Sequence, residues 1–165
     1  MARVAELLGE WATELSLSPV QVHRWTAAGY LHDVLRDASR EELEPWLEPR
    51  FRALPLSLLH GPAAATRLAA EGVDDEGFLR AVAFHTLGHP DLDRLGRALY
   101  MADFLEPGRQ FRPRWRARLR ARMPMEEGAV LREVLKARLV RLVEKGSPMR
   151  PETVGFWNRI VEERR

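Results

Sequence analysis

The chain has 165 residues, 45% of them hydrophobic, which is enough for one domain with a substantial core. It has no cysteine, which excludes disulfides, thiolate-bound zinc and iron–sulfur clusters and leaves His, Asp, Glu and water to hold any metal. The formal net charge is only +2, and the 26 basic residues are 24 arginines and two lysines, Lys136 and Lys145.

Helical spacing dominates from the first residues. Val4, Leu7, Leu8, Trp11 and Leu15 recur at the helix period. Ser18-Pro19 supplies a cap and a first-turn proline for a second helix, expected to run to about residue 36. A short helix is expected over 40–47, then a link punctuated by Pro49 and Pro55. Gly61-Pro62 opens a helix to about residue 70, with Gly72 as its stop. The next spans 74 to about 86 and is closed by Gly88 and Pro90. Leu92, Leu95, Leu99 and Ala102 stripe another, ending at Pro107-Gly108. Leu131, Val134, Leu135, Leu139, Leu142 and Val143 mark the longest amphipathic segment, ending at Gly146. It reads as core or dimer packing, so a homodimer is a candidate assembly. Pro151 starts a final helix with Phe156, Trp157 and Ile160. There are no repeats and no convincing strand, and the expectation is an all-α single domain. No apolar run approaches the roughly 20 residues of a membrane span, and the opening MARVAELLGEW lacks a signal-peptide pattern. No membrane partner and a cytoplasmic location are therefore expected.

Arginine alternates with other residues from Arg112 to Arg122, a period that would suit a strand. Ala, Leu and Arg favour helix instead, which would spread these arginines around the axis. A phosphate or nucleic-acid patch is one reading, a solvated helix the other. Trp115 is the only aromatic in the run, so the solvated helix is favoured and nucleic acid is not an expected partner.

Five ionisable residues sit in apolar surroundings: His32-Asp33 in WTAAGYLHDVL, His60 in LSLLHGP, His85 in LRAVAFHTLG and Asp103 in ALYMADFLEP. Burying such groups is costly unless something compensates them, either a bound metal or a neutral hydrogen-bonded pair. All of them fall at or near helix ends, where side chains can converge on one cleft.

Their order and contexts resemble the HD-domain metal-dependent phosphohydrolases, and more narrowly the YqeK family of symmetrical bis(5′-nucleosyl)-tetraphosphatases. The matching strings are RVAELL at 3–8, AGYLHDVLR at 28–36, LLHGPAAA at 58–65, FHTLG at 84–88 and MADFLEPGR at 101–109. The resemblance implies a single HD-domain helical bundle over 1–165, its metal-site core at about 1–110 and C-terminal helices at about 113–165. It implies two divalent metal ions, with iron the family's metal. Mixed imidazole and carboxylate donors suit iron, manganese, cobalt or zinc better than calcium or magnesium. Asp33 is assigned the bridge between the two ions and hence the central catalytic role. His32 and Asp103 complete one metal's shell, and His60 and His85 bind the other. Arg36, Thr86 and Arg109 are candidate phosphate binders; for Arg109 a helix-terminal salt bridge to Glu106 is the equal alternative. The family carries lysine where this chain has Arg36, which keeps the charge. It also carries a ligand histidine three residues before the RVA string, a position that precedes Met1 here. His23 does not replace it, since nine residues place it on the opposite helix face from His32. His89 reads as a surface residue beside the cleft. The implied reaction is symmetrical cleavage of diadenosine tetraphosphate to two ADP. A different nucleotide polyphosphate, or a weakened nucleotide-binding regulatory protein, are the alternatives.

Overall fold

In the computed structural model, which describes residues 1–163, the first apolar stripe winds into α1 (Ala2–Glu14) and buries Val4, Leu7, Leu8 and Trp11. The chain reverses through Ser16, at φ 54°, and Ser18 accepts from the Gln21 amide to cap α2 (Pro19–Leu31). The two helices approach closely because Gly29 lacks a side chain: a Cβ there would lie 2.4 Å from Ala5 Cα.

A capping box between Ser39 and Glu42 opens the short α3 (Arg40–Leu43), and three 3₁₀ turns carry the proline-marked link that follows. Next come α4 (His60–Ala70), α5 (Glu76–Phe84) and α6 (Arg94–Leu105), with Asp75 and Asp93 capping the last two. Then follow α7 (Pro113–Arg122), α8 (Glu127–Glu144) and α9 (Pro151–Glu162). No strand occurs among the described residues, so the fold is all-α. No helix among them is long and apolar enough to cross a membrane.

Helices α1, α2, α4, α5 and α6 pack on one another, α8 covers α6, and α9 packs on α8. One hydrophobic cluster runs through them all, from Val4 and Trp11 to Phe156 and Ile160. The α8 stripe is core only in its first half: Val130, Leu131, Val134 and Leu135 are buried, whereas Val143 is 65% exposed.

Two helices stop earlier than the periodicity predicts. α2 ends at Leu31 and α5 at Phe84, and in each the next residue is a histidine that folds back on its own helix. His32 Nδ1 lies 2.9 Å from Gly29 O, and His85 Nδ1 lies 2.8 Å from Val82 O. These carbonyls are the ones an uninterrupted helix would offer to the amides of Asp33 and Thr86. Turns replace the helix beyond Leu31, with Val34 N bonded to Leu31 O and Arg36 N to Asp33 O.

Arg24 on α2 ties both acidic caps together. It donates to Asp75 at 2.6 and 2.9 Å and reaches Asp93 at 3.4 Å. The Arg24 hydrogen bonds hold the Asp75 carboxyl down at about pKa 2, against the opposing effect of burial. A carboxylate with a depressed folded pKa stabilises the fold above its unfolded value and stops doing so as pH falls through the folded one. Asp75→Asn keeps the cap but loses the charge, so it should lower Tm at pH 7. The gap to the parent should narrow as pH falls from 3.8 through 2, read by thermal melts. A gap independent of pH would contradict the ion pair.

Candidate metal centre

The folded-back histidines define the chemistry of the site. A backbone carbonyl only accepts, so the Nδ1 atoms of His32 and His85 carry a ring hydrogen, and the tautomer this selects places the lone pair on Nε2. Both lone pairs are aimed at Asp33, with Nε2 of His32 3.5 Å from Oδ2 and Nε2 of His85 3.4 Å from Oδ1. His60, the first residue of α4, brings its Nε2 to 3.1 Å from Asp33 Oδ1 and 3.1 Å from His85 Nε2. That approach is possible because α4 begins against the end of α5. A Cβ on Gly61 would lie 2.9 Å from the Val82 and Ala83 carbonyl oxygens.

These groups are buried, and His32 Nε2 and Asp33 Oδ1 have no hydrogen-bond partner. Burial lowers the His85 pKa and keeps that ring neutral, with only partial opposition from Asp33. Burial raises the Asp33 pKa, but the close approach of His32, His60 and His85 lowers it by more and holds the carboxyl far below the usual carboxylate range. An ionised carboxylate facing imidazole lone pairs is repulsive unless a cation lies between them. His32, Asp33 and His85 each offer a ligand atom, all within 4.8 Å of one another. The residues therefore fit a divalent metal, and the Nδ1 bonds to backbone carbonyls are the kind of outer support that metal-binding histidines use.

Asp103, in the last turns of α6, lines the same cleft as Asp33, a space of about 300 Å³ whose wall also includes Arg3, Arg36, Glu106 and Arg109. Arginines occupy both its oxygens: Arg109 donates to Oδ1 at 2.7 Å and Arg138 to Oδ2 at 2.9 Å. Burial raises the Asp103 pKa, and Arg138 first, with His85 and Arg109, lowers it by more, so the carboxyl is ionised. Arg36 donates to Asp33 Oδ2 at 2.6 Å with half of its side chain exposed. Arg109 also lies 3.3 Å from Glu106, so it makes the predicted helix-terminal pair and a second pair to Asp103. Thr86 Oγ1 is 3.4 Å from His85 Nε2. His23 is exposed, and His89 stacks on Phe84 at 4.5 Å near the surface.

Three residues in these contacts were not read from sequence. Arg3 donates to Glu106 at 2.7 Å and Arg138 reaches Asp103 from α8. Arg116 departs from the solvated helix expected for the arginine run. It is 3% exposed, with its guanidinium 4.0 Å above the Phe104 ring. Burial, then the charges of Arg109 and Arg138, lower its pKa to about 10.

Residues 1–108 match the HD domain family. The symmetrical bis(5′-nucleosyl)-tetraphosphatase of Halalkalibacterium halodurans is 27% identical over 144 residues, covering 84% of this chain and 76% of that protein. The Bacillus subtilis protein of the same name is 29% identical over 142 residues, covering 81% and 74%. A crystal structure described as a predicted HD superfamily hydrolase involved in NAD metabolism, from Clostridium acetobutylicum, has the same fold. It aligns with a TM-score of 0.82 at 24% identity, over 98% of this chain and 87% of that one. The matched segment spans every helix that carries a candidate ligand, and the chain belongs to the HD domain family of metal-dependent phosphohydrolases.

Proposed function

We propose that the chain hydrolyses dinucleoside polyphosphates, cleaving diadenosine tetraphosphate symmetrically to two ADP. The observation that carries this reading is the division of Asp33 between two sets of donors. Its Oδ1 faces His60 and His85 and its Oδ2 faces His32, the arrangement a carboxylate needs to bridge two ions. Two divalent cations, iron first and manganese, cobalt or zinc as alternatives, supply when bound a lowered water pKa and positive charge at the phosphoryl oxygens. Asp103 completes the His32 side. Arg36 and Arg109 stand on the cleft wall beside Asp33 and Asp103, and bring the charge that a polyphosphate chain requires. Thr86, beside His85, offers a hydroxyl to the same anion. The curated relatives carry the name of this reaction, which supports the choice of substrate.

The test is incubation of the purified protein with diadenosine tetraphosphate and Mn²⁺ or Fe²⁺, with nucleotide products separated and metal content measured. Two ADP per substrate is the expected outcome. AMP with ATP would mean asymmetric cleavage and sink the proposal. Tight binding without turnover would support a nucleotide-binding protein instead, a reading favoured by the engagement of both Asp103 oxygens with arginine.

A further inference from the structure

We infer that Arg138, carried by α8 outside the segment matched to the HD domain family, is a positioning residue that sets Asp103 for metal binding. This rests on the metal-centre reading above. Arg138 occupies a stripe position, three residues after Leu135 and four after Val134, where an amphipathic helix normally places an apolar side chain. Its side chain is 16% exposed, and its guanidinium lies 4.2 Å from the Tyr100 ring centroid and 5.3 Å from that of Phe104. Nη1 donates to Thr86 O at 3.2 Å, and Nη2 donates to Tyr100 O at 3.3 Å and to Asp103 Oδ2 at 2.9 Å. One guanidinium thus spans the turn that follows His85 and the turn of α6 that carries Asp103.

The two arginines on Asp103 are unequal. Arg138 is fixed by three acceptors and two aromatic rings, whereas Arg109 is 37% exposed on the cleft wall. With Oδ2 held by Arg138, Oδ1 is the oxygen that can turn to a cation once Arg109 releases it. Fixing one carboxylate oxygen orients the other, and loss of such outer support typically weakens metal binding by about 10- to 100-fold. A purely structural role, joining α8 to α6, would instead alter stability and leave cation affinity alone.

Mn²⁺ titration of the full chain by calorimetry separates the two, with thermal melts in parallel, for wild type, Arg138→Met, Arg138→Lys, Asp103→Asn and the corresponding doubles. Arg138→Met should bind the cation served by Asp103 about 10- to 100-fold more weakly. Arg138→Lys, which returns a charge to Asp103 without the carbonyl bonds, should recover part of the loss. Neither substitution should weaken binding further in the Asp103→Asn background. Unchanged Mn²⁺ affinity in folded Arg138→Met overturns the inference alone, and wild type that binds no Mn²⁺ overturns the metal-centre reading with it. If Arg138→Met does not fold, Arg138→Lys and Asp103→Asn decide: losses that add overturn the coupling, and losses that do not add support it.

Discussion

Asp33→Ala is expected to remove bound metal and hydrolysis together, with a rate loss of roughly a thousandfold or more, because several kcal/mol of transition-state stabilisation depend on the ions. Both Asp33 oxygens face donors, so no neighbouring residue can substitute for one of them. The fold should persist, since Asp33 lies in a turn beyond α2 and contributes a desolvated charge rather than apolar packing. Arg36→Ala provides the contrast. Its guanidinium meets Asp33 from the half-exposed rim, so its loss should leave the metal in place and raise KM by about tenfold, the scale of one charged hydrogen bond discounted for solvent. Metal content and steady-state kinetics on both variants decide the matter. Full activity in Asp33→Ala would exclude the bridging role.

The helical architecture was legible because apolar residues at helix spacing report which face is buried, and no strand pattern competed. The candidate ligands were legible for the complementary reason: a histidine or aspartate inside an apolar run, such as Asp103 in ALYMADFLEP, needs a compensating partner. The end of α2 was not, because it depends on His32 taking the Gly29 carbonyl, and a side-chain bond to an i−3 carbonyl leaves the hydrophobic period unchanged. The arginine run misled in a similar way. Arg114 and Arg118 are exposed as expected, but Arg116 packs on Phe104 and Arg120 donates to Leu105 O. Their four-residue spacing marks one inward face, yet the composition of α7 carries no apolar signal strong enough to select it. Arg138 did leave a trace, a charge on the buried stripe of α8, but its partner lies 35 residues away in sequence.

Gly29→Ala should destabilise the protein by about 1–3 kcal/mol or more, the cost of overpacking a site that cannot yield. Two effects compete. Alanine is the better helix former and would favour α2 by roughly 0.5–1 kcal/mol. Against this, the new Cβ would meet Ala5 Cα at 2.4 Å and Ala5 N at 2.6 Å, and these backbone atoms have no rotamer to escape through. α1 must move, and α1 carries Arg3 and Val4 on the cleft wall, while the Gly29 carbonyl itself holds His32 Nδ1. Steric cost therefore wins, and the expected fall in Tm is roughly 2–12 °C for a chain of this size, accompanied by weaker metal binding. Gly128→Ala in α8 is the matched control: its added Cβ would have only the flexible end of Arg132 nearby, at 3.5 Å, so helix propensity should raise Tm slightly. A Gly29→Ala protein that melts at or above the parent would mean that α1 and α2 are not held at the separation on which the position of His32 depends.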